Sequence, residues 1–264
     1  MPHALILPLQ RVSDMALPYD VGECAHSAFF GLLHAADADL ADRLHAGDDR
    51  KPFTVALSPE RHRPRPGDTL PMRLTFLDDR LFPVLAGALL SGGLNNGLRI
   101  GGAQFVITGL LTTPATHPLA GHATYEALYA NTTPAASLAV RFRTPTVFRS
   151  EKMDVLWPHP RLVWHSWARI WQHHAGDTGP ALDFEHLIDV AANRIFIQRF
   201  HLRSQTFPLK SGGQTGFIGT CLYNLQNVDE SDRRALSALA DFAFYAGTGR
   251  KTAMGMGQTL PAIS

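Results

Sequence analysis

Along the 264-residue chain, hydrophobic and polar positions fall into a pattern that predicts one element order used twice. The apolar run His3–Leu9 predicts a strand. Residues Glu23–Ala36 then carry an apolar stripe at Phe29, Leu32, Leu33 and Ala36, the spacing of a helix packed by one face. A shorter helical stretch, Asp39–Leu44, stops near Ala46-Gly47. Strands are predicted at Phe53–Leu57 and Leu70–Leu77, a helix at Leu81–Leu90, a Gly/Asn-rich turn at Ser91–Gly97 and a strand at Arg99–Thr112. This is β-α-β-β-α-β. Residues 113–135, rich in Thr, Pro, Ala and His with a helical patch near Tyr125–Tyr129, read as a connection. A second round follows: a strand at Ala139–Arg149, helices at Pro160–His174 and Asp183–Ala192, strands at Arg194–Phe207 and Gly216–Leu225, and a helix at Ser231–Tyr245. A glycine-rich loop and a last strand close it. The expected fold class is α+β with two tandem ferredoxin-like (RRM-like, βαββαβ) domains, 1–130 and 131–264.

Composition changes this picture little. Hydrophobic residues make up 45% and charged ones 18%, which supports packed cores and argues against disorder. No run of about twenty apolar residues suits a bilayer crossing. Ala4-Leu5-Ile6-Leu7 stops at Pro8 without a basic leader, as a first strand does and a signal peptide does not. Cys24 and Cys221 are far apart and suit core thiols in a reducing cytoplasm. Net charge is +1, yet its distribution is uneven. Residues 1–130 carry 10 Lys/Arg against 13 Asp/Glu, and residues 131–264 carry 14 against 10. The basic excess sits in the second half.

Candidate chemistry concentrates in Gly247-Thr248-Gly249-Arg250-Lys251-Thr252-Ala253-Met254-Gly255-Met256-Gly257. Two G-x-G pairs flank five residues, two of them cationic. Glycines let main-chain amides approach phosphate oxygens, and Arg250 and Lys251 add charge. A P-loop needs Lys after its second glycine, where Arg250 stands. A dinucleotide fingerprint needs a third glycine where Thr252 stands, and a helix afterwards. The plain alternative is a tight turn with two solvated cations. Period two in the flanking strands groups Arg141, Arg143 and Arg149, and likewise Arg199, His201 and Arg203, into cationic faces that could follow a phosphate backbone or simply be solvated. Arg61, Arg63 and Arg65 form a Pro-rich basic loop expected to be solvated. Trp164, Trp167 and Trp171, at spacings of three and four, read as a buried helix face, and His173-His174 as a polar helix end. No H-E-x-x-H, C-x-x-C or acidic cluster suggests a metal, and no cofactor is expected.

The G-h-G, basic segment, G-h-G pattern (h hydrophobic, here Thr248 in one instance) resembles the signature loop of the CRISPR-associated repeat-processing endoribonucleases of the RAMP superfamily. Phe142-Arg143-Thr144-Pro145-Thr146-Val147-Phe148-Arg149 is similar to the strand that opens that family's second domain, and Pro160-Arg161-Leu162-Val163-Trp164 to its next helix. Gly216-Phe217-Ile218-Gly219 is similar to the strand before its last helix, and residues 26–58 to its N-terminal helix-to-strand segment.

The resemblance implies an endoribonuclease that cuts precursor CRISPR RNA within its repeats without metal. The substrate 2′-OH would attack, leaving a 2′,3′-cyclic phosphate and a 5′-OH. Histidine suits both proton transfers. Carried over by position, His45 is the expected base, His26 the acid and Lys51 the phosphate stabiliser, with His34 in reserve. Phe29 and Phe30 occupy the helix where some relatives use a tyrosine. The expected RNA contacts are Gly247, Gly249, Arg250, Lys251, Gly255 and Gly257, with Arg141, Arg143, Arg149, Arg199 and Arg203 along the strands. The implied partner is CRISPR repeat RNA, with a CRISPR effector complex and a homodimer as further associations. Two other functions stay open: a binding-only subunit holding processed guide RNA, and a nucleotide-binding regulator using the glycine loop.

Overall fold

The computed structural model describes residues 1–47, 50–57, 64–91 and 97–262; Arg61, Arg63 and most of the Ser91–Gly97 turn lie outside the described residues. The chain divides into two compact units. The first holds Met1–His122 with the segments Pro208–Gly213 and Ala253–Gly255. The second holds Ala123–Phe207, Gln214–Thr252 and the chain from Met256 onward.

In the first unit, β1 (His3–Arg11) is followed by α1 (Val21–Ala36), α2 (Ala38–Ala46), β2 (Phe53–Leu57), β3 (Thr69–Phe76), α3 (Leu81–Leu90), β4 (Leu98–Ile100), β5 (Ala103–Ile107) and β6 (Gly121–His122). The antiparallel sheet runs β2-β3-β1-β5-β4, with β6 also on β1. The first and third strands of the βαββαβ order thus pair at the centre, which is the ferredoxin-like arrangement. β1 is apolar on both faces because both are covered. Its Pro8 lies opposite Pro71, a rung where neither residue has an N–H to leave unpaired. α1 buries Ala25, Ala28, Phe29, Leu32 and Leu33, one helical face, against β2 and its neighbours. α2 starts where the Asp37 carboxylate accepts the Leu40 N–H at 2.9 Å, a conventional N-cap. The single strand expected at Arg99–Thr112 is a hairpin, β4–β5. Gly101, at φ +61°, turns the chain between them in a conformation that other residues adopt with difficulty.

The second unit has α4 (Tyr125–Ala130), β7 (Ser137–Thr146), β8 (Phe148–Ser150), β9 (Met153–Val155), α5 (Pro160–Ala175), α6 (Phe184–Arg194), β10 (Phe196–Leu209), β11 (Gly212–Asn224), α7 (Glu230–Ala246) and β12 (Thr259–Ala262). Its sheet order, β10-β11-β7-β12, repeats the ferredoxin-like arrangement. Two tandem ferredoxin-like domains therefore make up the chain. Trp164, Trp167 and Trp171 are at most 1% exposed and form the buried face of α5 against α7. The strand expected at Ala139–Arg149 breaks after Thr146, and Phe148–Ser150 forms a separate hairpin with β9 around Glu151, which sits at φ +53°. Among the described residues no helix is long and apolar enough to cross a membrane.

Candidate active site

α1 and α2 bring the two candidate histidines against one phenyl ring. His26, half-buried on α1, meets Phe30 edge-on with centroids 4.9 Å apart and lies over Phe53 at 6.0 Å. His45, exposed in the last turn of α2, meets the same Phe30 at 5.4 Å with the planes at 90°. Phe30 follows His26 by one helical turn, which is why the two rings share a face. His26 Nδ1 lies 2.9 Å from the main-chain oxygen of Ala253, a residue that packs against the first unit's core. Burial pushes the His26 imidazole below its ordinary value. The bond to Ala253 opposes that shift, and the nearby Lys51 and His45 charges reinforce it.

Lys51 stands beside this pair with its ammonium already occupied. Nζ donates to the carbonyl oxygens of Leu44 at 2.6 Å, His45 at 3.1 Å and Gly47 at 2.8 Å. These are carbonyls at the C-terminal end of α2, where a cation is favoured and the chain has no further helical donors. A nine-residue helix is marginal alone, so this bond set fixes the turn from which His45 projects. In this arrangement the Lys51 ammonium meets main-chain oxygens. All three ammonium protons are spent on main chain, although the charge still acts on His26.

The glycine loop is held together by its own main chain. Gly247, Gly249, Gly255 and Gly257 all have positive φ, between +65° and +101°. A Cβ on Gly249 would stand 2.4 Å from the Val147 oxygen, and one on Gly257 would stand 2.1 Å from the Thr248 oxygen. The glycines are thus demanded by close main-chain packing. Nor are most of the loop amides bared. The N–H groups of Gly247, Thr248, Arg250, Met256 and Gly257 donate to Ala243, Gly257, Val147, Lys251 and Pro145 oxygens, and that of Gly249 to Ser166 Oγ at 2.9 Å. The Arg250 side chain stays open to solvent, and Lys251 is partly exposed. Lys251 itself has φ +58°. Thr248 is wholly buried. It accepts Trp167 Nε1–H at 2.8 Å and shares a 2.6 Å hydrogen bond with Thr259, so it bonds to α5 and β12.

On the open face of the second sheet, Arg141, Arg143, His201 and Arg203 line one cavity of about 350 Å³ with Phe142, Ile218 and Gly219. Burial and the Arg141 charge both push Arg143 below its ordinary value. Arg199 shares the strand but does not line this cavity. Arg149 parts from Arg141 and Arg143, because it belongs to β8. It lies 3.4 Å from Asp154, whose carboxylate also faces Arg250 at 3.5 Å. The hydrogen bond from Gln214, then the two guanidiniums, hold Asp154 below the usual carboxylate range. Sequence spacing had not pointed to Phe30 as a spacer, Ser166, Asp154 or the Ala253 carbonyl. Main-chain acceptors carry no side-chain signal, and Ala253 lies 227 residues from His26. Among the described residues, no three His, Cys, Asp or Glu side chains converge as metal ligands do.

Tandem ferredoxin-like units, one bearing an arginine-lined sheet face and the other a histidine pair, define a protein of the RAMP type. Residues 140–259 match the family model for CRISPR-associated endoribonuclease Cas6, and residues 1–65 match the Cas6 N-terminal domain. A solved Cas6 product complex is 32% identical over 99% of both chains, with a TM-score of 0.86. A Thermus thermophilus Cas6 structure is 32% identical over 99% of this chain and 98% of that one, with a TM-score of 0.78. The chain belongs to the Cas6 family. A Mycobacterium tuberculosis CRISPR-associated endoribonuclease Cas6 is 31% identical over 122 residues, which is 45% of this chain and 36% of that protein. The matched stretch thus spans about a third of the curated relative's length.

Proposed function

We propose that this protein is an endoribonuclease that cuts precursor CRISPR RNA within its repeats, using His26 and His45 as the acid–base pair and no metal. The observation that carries the reading is the pair itself: two imidazoles from adjacent helices in contact with Phe30, next to the Lys51 charge. Proton removal from a 2′-OH and proton delivery to a departing 5′-oxygen need two such groups. Positioned proton transfer contributes roughly 10²- to 10⁴-fold each. The products are a 2′,3′-cyclic phosphate and a 5′-OH. Lys51 serves by holding the last turn of α2 and by its charge. Arg250 and Lys251 hold phosphate at the glycine loop. Arg141, Arg143 and Arg203, with Arg199 and Arg149 further along, follow the backbone and supply affinity more than sequence choice.

The test is cleavage of cognate repeat RNA in EDTA by the wild type and by His26→Ala and His45→Ala proteins, with binding measured alongside. Cutting that survives chelation and is lost in both variants, with binding retained, is the expected result. Full activity in both variants overturns the site, and binding without cleavage by the wild type in any buffer overturns the enzyme reading.

A further inference from the structure

Three of the four tryptophans are buried on one face of α5, and Trp157 is the exception. It stands 40% exposed just before α5 and meets Phe200, itself 55% exposed, with ring centroids 5.0 Å apart and planes at 86°. Edge-to-face contact is an ordinary way for aromatic rings to meet inside a core. Here both rings remain open to solvent. Two perpendicular rings form a corner, in which a flat group can stack on one ring while its edge rests against the other. The corner is also rigid. The Trp157 carbonyl accepts the His159 N–H at 2.9 Å, and the Pro158 carbonyl accepts the buried Tyr223 hydroxyl at 3.0 Å. Pro158 and Pro160 fix two φ angles in the same turn. Phe200 comes from β10, which is hydrogen-bonded to β11 at the edge of the second sheet. Rings held in place before a ligand arrives lose little freedom when it binds.

The surroundings favour a polyanion. β10 carries Arg199 and Arg203 and no acidic residue. Asp154, three residues before Trp157, is the carboxylate faced by both Arg149 and Arg250, so the backbone of Trp157 lies within about 11 Å of that of Asp154. A protein partner asks for more apolar area. Even with the exposed Leu156 alongside, the patch falls well short of the roughly 800 Å² that each side of a standard protein interface buries. An RNA strand, by contrast, offers phosphates to the arginines and bases to the rings. We propose that Trp157 and Phe200 form a stacking site for one unpaired nucleobase of the repeat RNA, next to the phosphates that meet Arg149 and Arg250. This rests on the reading of the chain as a repeat-cutting endoribonuclease, and adds a base contact to one made of backbone contacts alone. Every base has a π-face, so the site fixes where the strand lies and not which sequence it has.

Trp157 is its own reporter, because the other three tryptophans are shielded from acrylamide. Repeat RNA with a 2′-deoxy scissile nucleotide, which binds without being cut, is expected to quench Trp157 emission and to protect what remains from acrylamide. Trp157→Ala should weaken affinity for this RNA about 5- to 150-fold, with Trp157→Phe recovering most of the loss and the salt dependence unchanged in both. An unchanged salt slope and thermal midpoint show that the variant is folded and keeps its phosphate contacts. Scanning the repeat with single abasic nucleotides then finds the partner. At one unpaired position the missing base should weaken binding to the wild type and have no further effect on Trp157→Ala. A wild type that binds and cuts the repeat while Trp157 stays as open to acrylamide as before overturns the proposal. So do abasic losses that are as large in Trp157→Ala as in the wild type at every position. Protection of Trp157 that grows with protein concentration in the absence of RNA overturns it in favour of a second copy covering the corner. A wild type that binds no repeat RNA at all would instead remove the reading on which the site rests.

Discussion

Thr248→Val tests whether the glycine loop is held by a buried hydrogen-bond chain. The substitution keeps the shape of the side chain and removes its oxygen. Trp167 Nε1–H then points at a methyl group, in a place where both residues are wholly buried and no water can substitute. Thr259 loses its 2.6 Å partner too, although its hydroxyl keeps the 3.0 Å bond to the Gly257 oxygen. A buried donor left without a partner costs about 1–3 kcal/mol, and the added methyl returns about 0.8 kcal/mol at most. The expected net loss is about 1 kcal/mol, which for one domain of this size lowers its thermal midpoint by roughly 3–6 °C. Thr248→Ser, which keeps the acceptor, should lose less. The assay is thermal unfolding of the wild type, Thr248→Val, Trp167→Phe and the double variant. If the bond is real, the double variant is less destabilised than the sum of the singles by about 1 kcal/mol. Additive losses, or a Thr248→Val midpoint equal to that of the wild type, would refute the chain of bonds.

Other consequences can be measured separately. Lys51→Met should lower stability by about 1–2 kcal/mol, since three carbonyls lose a donor but can turn to water. It should also raise the basicity of His26 by removing a nearby positive charge, so the limb of the pH–rate profile that reports His26 moves to higher pH; an unmoved limb contradicts the coupling. His3, buried against Phe82 with ring centroids 4.5 Å apart, is held at about 4, first by burial and then by His122. A depressed folded value means that protonation opposes folding. Stability is full above pH 6.5, erodes by up to about 3 kcal/mol as pH falls to 4, and is flat in this group below that. Urea denaturation of the wild type and His3→Phe at pH 7.5 and 4.5 isolates this loss, which the variant should lack. Arg141→Gln with Arg143→Gln should flatten the dependence of RNA affinity on salt by roughly 1.4 in log–log slope, if each guanidinium meets one phosphate of a single strand; an unchanged slope places the RNA elsewhere.

Much of the fold was legible because periodicity reports burial. The ranges Phe53–Leu57 and Leu81–Leu90 came out of the pattern unchanged, one a fully buried strand and the other an apolar helix. Where strands broke, the cue was short. Gly101-Gly102 inside an apolar run was the mark of a hairpin, and Val147 gave no warning that β7 ends just before it. The candidate site was legible only as residue types. Histidines on neighbouring helices could be singled out, and their shared contact with Phe30 follows from helical spacing. The bond of one ring to a carbonyl from the far end of the chain could not. The glycine loop shows the same division. Its spacing was visible, but what the glycines permit is backbone meeting backbone, which no spacing distinguishes from backbone meeting phosphate.

Asp154 gives the loop a character that a bare cluster of cations would lack. Arg149 and Arg250 already face an anion in the resting protein, each at 3.4 to 3.5 Å and open to solvent. Pairs of that kind are weak, worth up to about 1 kcal/mol, so an arriving polyanion displaces the carboxylate at small cost. A lone inorganic anion gains little by the exchange, whereas a strand that meets several cations at once gains at each. On the proposed reading, the resident carboxylate would set a threshold that an RNA strand passes and a stray ion does not.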